Sequence, residues 1–372
     1  MRILHVTSTF LPDSQGGIEE LVRQICINTI SYGVESRVFT LSRDPMPEVI
    51  LIDGIEVFRV KKSFEISSCG FSITAFNKFK ELIDWADVVH YHYPWPYQDL
   101  LNITYGHKAK SILTYHSDIV RQRKLKVIYN PIMKFFLGRV NKIIATSENY
   151  VESSQVLKSY QDKINVIPIG LNKSSYPKIS NDDLINMQSK VGENFILFIG
   201  KFRQYKGLNY LLDALSNSSF NCVIVGNGFL EKQLTEKAKK LGLSNVIFLG
   251  AVSEVDKVAL IKLCRALILP SNQRSEAFGI CLLEGAMYAK PLISTELGTG
   301  SSFVNIDNNT GFVVPPSDSE ALKNAMLKLI NNESLAKKMG DAAQARFEEL
   351  FTGERMGQNY FQVYKELIGK NN

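Results

Sequence analysis

Short apolar runs alternate with amphipathic stretches along most of the chain. Residues 3–8, 35–41, 57–60, 88–91, 111–114 and 142–145 each read as a buried strand. After the first of these, Leu21, Val22 and Ile25 recur at helical spacing in a helix that begins at Ile18 and stops near Gly33. The second half repeats the alternation, with strands at 195–200, 222–225, 246–250 and 266–269, a further one after Lys290-Pro, and a last one in Asn309-Thr-Gly-Phe-Val-Val-Pro. Strands alternating with helices predict an α/β protein built on parallel sheets. Between the halves, Val166-Ile-Pro-Ile-Gly-Leu-Asn172 leads into a polar stretch, 173–192, that carries Pro177 and reads as an interdomain linker; Asn181-Asp-Asp inside it reads as linker loop. Residues 321–330 and 334–368 are helical by period, with Phe351, Tyr360, Phe361 and Tyr364 as packing positions of the last helix. The expected domains are therefore 1–170 and 171–350, followed by a terminal helical segment, 351–372.

Composition narrows the class. A chain of 372 residues, 45% apolar and 22% charged, is long enough for two cores and ordinary for a globular protein. It has no apolar run of transmembrane length, and Met1-Arg-Ile-Leu-His enters a strand without a signal-peptide core, so the expected compartment is the cytoplasm. The five cysteines are odd in number and lack Cys-x-x-Cys spacing, which predicts reduced thiols and neither disulfides nor zinc. His5 and His107 fit no ligand spacing with the other histidines, so no metal is expected. The net charge of +6 is uneven: residues 101–145 carry nine Lys or Arg against Asp118 alone. Such a stretch is either a solvated face or a contact for phosphates on a lipid carrier, a membrane surface or nucleic acid. Nucleic acid is disfavoured, because no recognition motif accompanies the charge.

The candidate chemistry centres on Arg274-Ser-Glu-Ala-Phe-Gly-Ile-Cys-Leu-Leu-Glu-Gly-Ala-Met287. It follows an apolar strand ending at Pro270. Glu276 is expected in the loop at the strand's carboxyl end, and Glu284 about two turns inside a helix that starts near Phe278-Gly279. Ligands of open parallel sheets bind at that end, where free N–H groups of a helix start suit phosphate. Gly279 would let the backbone approach a ligand closely. Carboxylates beside an anion site make sense when the ligand also carries hydroxyl donors. Phosphate with vicinal hydroxyls describes a nucleotide sugar. The plain alternative is that both glutamates merely face water. Lys201-Phe-Arg-Gln-Tyr-Lys-Gly207, before another helix start, reads as a diphosphate clamp of Lys201, Arg203 and Lys206. In the first half, the Gly16-Gly17 turn is not Gly-x-Gly-x-x-Gly, so a dinucleotide cofactor is not expected. His90-Tyr-His-Tyr-Pro-Trp-Pro is read as an aromatic loop at a strand end, and His116 follows the strand at 111–114.

These motifs resemble those of the retaining glycosyltransferases of family 4. The resemblance rests on Pro270-Ser with Glu276-Ala-Phe-Gly-Ile and Glu284-Gly, a Glu-x7-Glu signature, and extends over nearly the whole chain. It implies the GT-B fold: two Rossmann-like α/β domains facing each other across a deep cleft, the first binding acceptor and the second binding nucleotide sugar, with a C-terminal helix crossing back to the first. It implies that Glu276 with Ala277, Phe278, Gly279 and Ile280 meets the transferred sugar, that Glu284 holds the ribose, and that Val252 lies near the base. Gly16, Gly17 and Glu19 would lie against the donor, and His116 would contact the sugar near its reacting carbon. The family pattern has arginine where this chain has Lys201, so whether Lys201 or Arg203 joins Lys206 on the diphosphate stays open. The expected reaction is transfer of a hexose with retention, stabilised by His116, Glu276 and Lys206 without metal or cofactor. Tyr115-His-Ser-Asp-Ile-Val-Arg-Gln122 and 295–305 look like bacterial O-polysaccharide mannosyltransferases, which favours GDP-mannose over a UDP-sugar. The acceptor would be a glycan or lipid diphosphate-linked glycan, met by His92 and Arg121, at the inner face of the plasma membrane. A nucleotide-sugar epimerase, a glycan phosphorylase and a non-catalytic nucleotide-sugar-binding protein are the competing classes. Conversion without acceptor would mark the epimerase, and pyridoxal absorbance the phosphorylase.

Overall fold

A computed structural model describes residues 1–66, 69–119 and 123–369, with the side chains of 123–126 left out. The chain divides into two compact units, Met1–Gly170 joined by Gly353–Asn372, and Leu171–Thr352.

In the first unit the order is β1 (Arg2–Val6), α1 (Gly17–Thr29), β2 (Glu35–Ser42), β3 (Val49–Ile52), β4 (Ile55–Lys61), β5 (Phe64–Ile66), β6 (Cys69–Phe71), α2 (Ala75–Trp85), β7 (Val88–Tyr93), α3 (Pro96–Tyr105), β8 (Lys110–Tyr115), α4 (Arg123–Arg139), β9 (Lys142–Ala145), α5 (Glu148–Ser153) and β10 (Ile164–Val166). Eight of these strands form one sheet in the order β10-β9-β8-β7-β1-β2-β4-β3. Every pairing in it is parallel except β3 on β4. Connections run one way from β1 through β2 and the other way from β7, so the strand order reverses between β1 and β7. The crevice at the carboxyl ends of that pair is the expected ligand position.

The second unit contains α6 (Asn181–Val191), β11 (Ile196–Ile199), α7 (Leu208–Ala214), β12 (Cys222–Val225), α8 (Glu231–Lys240), β13 (Val246–Gly250), α9 (Glu254–Leu263), β14 (Ala266–Leu269), α10 (Ile280–Met287), β15 (Leu292–Thr295), α11 (Gly300–Val304), β16 (Gly311–Val314), α12 (Ser319–Asn331) and α13 (Glu333–Leu350). Its sheet, β13-β12-β11-β14-β15-β16, is parallel throughout. Here the order reverses between β11 and β14. The loops that leave those two strands are the basic loop, 201–206, and the Glu276 loop.

The last helix, α14 (Gly353–Gly369), belongs to the first unit and packs on α1. The crossing is close: a Cβ at Gly357 would lie 2.3 Å from the carbonyl oxygen of Asn28. Phe361 stacks on Tyr32 at 4.9 Å between ring centroids, while Tyr360 and Tyr364 are buried against the sheet.

Three expectations from the sequence are corrected. Residues 173–192 are not a plain linker, because 181–191 form α6, whose Met187 and Val191 enter the second unit's core. Asn181-Asp-Asp is the start of that helix, with Ser180 and Asp183 closing a capping box. The His90–Trp95 segment is not a loop as far as Tyr93: β7 runs to that residue, paired with β8 throughout and with β1 as far as Tyr91, so His90 and His92 are strand residues. Phe351 does not pack the last helix. It lies in the second unit between Phe303 and Phe278, with ring centroids 5.7 and 6.2 Å away.

Candidate active site

The two loops at the second unit's reversal point are held together by backbone. Asn272 N–H donates to the Tyr205 carbonyl at 2.8 Å. Gly207 closes the basic loop with φ of 69°, and a Cβ there would stand 1.9 Å from the Pro270 carbonyl oxygen. Only glycine permits both the left-handed conformation and that approach. The result brings Lys206 to Glu276, with Nζ 2.5 Å from Oε2. Ser271 Oγ donates to the same carboxylate oxygen at 2.9 Å. Burial is the largest single effect on Lys206 and lowers its affinity for the proton, yet the charge and hydrogen bond of Glu276, together with Tyr205 and Cys281, outweigh it and leave the pKa raised.

Glu284 is anchored the same way. Its Oε1 accepts from Lys257 Nζ at 2.8 Å and from the Tyr176 hydroxyl at 3.1 Å, while Lys257 also meets Glu254 at 2.8 Å. Burial, the largest single effect, lowers the Lys257 pKa, but the charges and hydrogen bonds of Glu284 and Glu254 together exceed it and leave the pKa raised. In both glutamates one oxygen is tied down, and among the described residues the other, Oε1 of Glu276 and Oε2 of Glu284, accepts no hydrogen bond. Both residues are buried, at 7% and 5% exposure, so the open oxygens lie in recesses. Carboxylate oxygens arranged in this way suit hydroxyl donors.

Two details differ from the sequence reading. The helix starts at Ile280, because Gly279 is left-handed with φ of 87°, so Glu284 lies just past the first turn. Gly279 serves packing rather than ligand approach, since a Cβ there would fall 2.6 Å from Leu269 Cδ2. Ala277 accepts from Gly300 N–H at 2.7 Å, and Phe278 is buried. Lys201 is exposed; Arg203 is exposed as well, with its guanidinium carbon 5.2 Å from the Phe229 ring centroid. Val252 packs on the core cluster beneath α9.

In the first unit, Gly16 and Gly17 lie at the start of α1, and Glu19 Oε1 accepts from Thr9 Oγ1 at 2.8 Å. Arg121 lies outside the described residues. The histidines form a connected group that sequence spacing did not reveal. Parallel pairing sets His5 directly beside His90, and the period of two puts His90, His92, Thr114 and His116 on one face. His5 Nδ1 lies 3.2 Å from His92 Nε2, and His92 Nδ1 lies 3.1 Å from His116 Nε2. His90 bonds to the Tyr364 hydroxyl at 2.8 Å and to Thr114 Oγ1 at 2.7 Å. Burial lowers all four, His5 and His116 to about 3 and His90 and His92 well below the ordinary value, so the rings are neutral. The expectation that His5 fits no ligand spacing is therefore corrected: ligand atoms of His5, His90 and His92 lie within 4.8 Å of one another. Hydrogen bonds already occupy both nitrogens of His90 and of His92, however, so the group as it stands is a hydrogen-bonded chain.

Sequence reasoning missed His5, Tyr176, Ser271 and Lys257. Only the Glu254/Lys257 spacing of three on a helix gave a local hint.

The glycosyl transferases group 1 family matches residues 182–346, and glycosyltransferase family 4 matches residues 15–175. D-rhamnosyltransferase WbpZ of Pseudomonas aeruginosa is 48% identical over 352 residues, 95% of this chain and 92% of that one. O-antigen chain mannosyltransferase C of Escherichia coli is 45% identical over 368 residues, 99% of each chain. The chain belongs to the group 1 glycosyltransferases. The glycosyltransferase has the GT-B fold, as its solved neighbours show. Sucrose-phosphate synthase from Thermosynechococcus elongatus superposes with a TM-score of 0.81 at 21% identity, covering 100% of both chains. Anabaena Alr3699/HepE in complex with UDP-glucose superposes with a TM-score of 0.81 at 18% identity, covering 98% of this chain and 100% of that one. No helix of the glycosyltransferase, among the described residues, is long and apolar enough to cross a membrane.

Proposed function

We propose that this glycosyltransferase moves mannose from GDP-mannose, with retention and without a metal, to a glycan or lipid diphosphate-linked glycan acceptor of a cell-surface polysaccharide. The observation that carries the sugar assignment is the relation to O-antigen chain mannosyltransferase C, which spans 99% of both chains. The chemistry rests on the second unit's loops. Lys206, with Arg203 or Lys201, offsets the charge that develops on the departing diphosphate, and fixed cations need no reorganisation to do so. Glu276 takes sugar hydroxyls on its open oxygen, and Glu284, anchored by Lys257 and Tyr176, takes the ribose diol. Val252, Ala277, Phe278 and Ile280 complete the donor site, and Gly16 and Gly17 of the first βα loop are also assigned to donor binding. His116 donates or accepts one hydrogen bond at the transferred sugar, and His92 serves through it. The departing phosphate takes the acceptor's proton as the new glycosidic bond forms on the same face.

A second reading keeps the site and changes the sugar. The relative at 48% identity is named for D-rhamnose, which is mannose without the 6-hydroxyl, and this favours a GDP-6-deoxyhexose as the rival donor. The acceptor side is assigned to the first unit, where α4 exposes Val127, Ile128 and Phe135 beside Lys134. That mixture suits the surface of an anionic leaflet. The deciding experiment offers GDP-mannose, GDP-D-rhamnose and UDP-sugars to the purified protein. A bound donor at about 100 times its Kd adds about 2.7 kcal/mol to stability. GDP-mannose is expected to give the largest rise in Tm and to be the donor consumed when a lipid-linked acceptor is added. Protection and turnover with UDP-sugars alone would overturn the assignment.

A further inference from the structure

His116 does not stand alone on its sheet face: it is the outer end of a row of three imidazoles. Its Nε2 meets His92 Nδ1 at 3.1 Å, and His92 Nε2 meets His5 Nδ1 at 3.2 Å. The row is rigid. His116 N–H continues the strand ladder to the Tyr93 carbonyl at 3.0 Å, His92 and His5 are strand residues, and the rings of His92 and His116 lie 16° from parallel. His5 and His92 are 0% and 2% exposed.

Counting protons leaves two arrangements. Each neutral ring carries one N–H, and each of the two contacts needs one N–H and one bare nitrogen. If His92 is protonated on Nδ1, it donates to His116 and must accept from His5, and all three rings are then Nδ1–H. If His92 is protonated on Nε2, all three are Nε2–H. No mixed state satisfies both hydrogen bonds. The inner end decides between the two. His5 Nε2 is buried and has no hydrogen-bond partner among the described residues. The second arrangement places an N–H there, and a buried N–H without an acceptor is among the rarest features of folded proteins. The first leaves a bare ring nitrogen, an unsatisfied acceptor, which buried sites tolerate more often than an unsatisfied donor. The outer end then follows: His116 Nε2 is committed inward, and Nδ1, which has no partner among the described residues, carries the proton.

We infer that His5 and His92 are positioning residues that lock His116 in the Nδ1–H tautomer, so that it meets its ligand as a hydrogen-bond donor. The partner is then an oxygen that accepts, a sugar hydroxyl or ring oxygen, and a ligand group that must donate to His116 is discriminated against. That ligand assignment rests on the nucleotide-sugar reading above, whereas the locked tautomer does not. His90 stays outside the row, since its nitrogens go to Tyr364 and Thr114.

The test is nitrogen NMR on the full protein with ring-labelled histidine, each signal assigned by single substitution. Wild-type protein is expected to show His5, His92 and His116 all protonated at Nδ1 and bare at Nε2. His5→Met, whose thioether can accept but not donate, should turn His92 and with it His116 to Nε2–H and lower kcat several-fold with little change in donor KM. His5→Asn keeps an N–H close to the position of Nδ1 and should restore both. Nε2–H rings in wild-type protein, or a His116 tautomer indifferent to His5→Met, would overturn the inference. The wild-type spectrum decides even if the variants fold poorly. Failure of wild-type protein to turn over any nucleotide sugar would sink the functional reading while leaving the tautomer result standing.

Discussion

Lys206 Nζ lies 2.5 Å from Glu276 Oε2, and the two side chains are 12% and 9% exposed. A cation assigned to the diphosphate and a carboxylate assigned to the sugar therefore hold each other in place before either meets a ligand. Removing one partner of a buried pair leaves an uncompensated charge, which costs about 3–5 kcal/mol. Lys206→Ala is expected to lower unfolding free energy by that order. It should also weaken nucleoside diphosphate by about 1.5–3 kcal/mol for a lost charged hydrogen bond. The double variant Lys206→Ala/Glu276→Ala should be less destabilised than the sum of the single variants. Denaturant titration and calorimetry check both parts, and additive losses would mean that the pair does not act as a unit.

Glu284 and Glu276 should fail differently. Glu284→Ala is expected to weaken GDP-mannose and GDP alike, and Lys257→Ala should reproduce part of that loss because Lys257 fixes the carboxylate. Glu276→Ala should leave GDP affinity nearly intact and reduce kcat, since a contact that strengthens as the sugar gains positive charge acts in the transition state. Equal losses of GDP affinity in both variants with kcat unchanged would refute this division.

The buried histidines make stability depend on pH. His5 and His116 titrate near 3 in the folded chain and near 6.5 unfolded, and His90 and His92 are displaced in the same direction. Between those values the unfolded chain binds protons that the folded chain does not, so stability is complete above about pH 6.5 and falls as the pH drops toward 3. Each histidine removes up to about 1.4 kcal/mol per pH unit in that window. Denaturant midpoints from pH 7.5 to 5 should show the decline, and His5→Phe should make it shallower. A flat profile would contradict neutral burial.

The acceptor-side assignment predicts that purified protein co-sediments with vesicles rich in anionic lipid and is released as salt approaches physiological strength, where the screening length is about 8 Å. Replacing Val127 and Ile128 with serine should weaken binding at every salt concentration. Equal sedimentation with neutral vesicles, or none with either, would return α4 to a solvated face.

Much of this was legible in the sequence because the decisive residues follow parallel strands. Runs such as 266–269 and 142–145 reveal themselves by length and composition, and the loops after them fall at the sheet's carboxyl edge. Glu276, Glu284 and Lys206 could be singled out on that ground. What escaped depends on strand order. Nothing local links His5 to His90, since their pairing follows from β1 lying beside β7, an arrangement set by the whole sheet. Tyr176 reaches Glu284 over a sequence separation of 108, and Ser271 is inconspicuous until Gly207 draws the neighbouring loop onto Pro270. The helix at 181–191 was hidden by its polar exposed face, with Leu184, Met187 and Val191 turned inward. The side chain of Arg121 falls outside the described residues.

The return of α14 to the first unit has a consequence for the newborn chain. Tyr364 bonds His90 across 274 residues, and Tyr360 bonds Thr114 across 246. At about 5–20 residues per second, a ribosome needs roughly 15–50 s to make that intervening length. The usual order, in which the N-terminal part of a protein folds first, is thereby inverted: the stretch from Leu171 to Thr352 is whole while the first unit still lacks its closing helix. Until α14 emerges, the apolar side of α1 and the histidine face wait uncovered, and a message cut short before Gly353 would yield a complete second unit tethered to an aggregation-prone half.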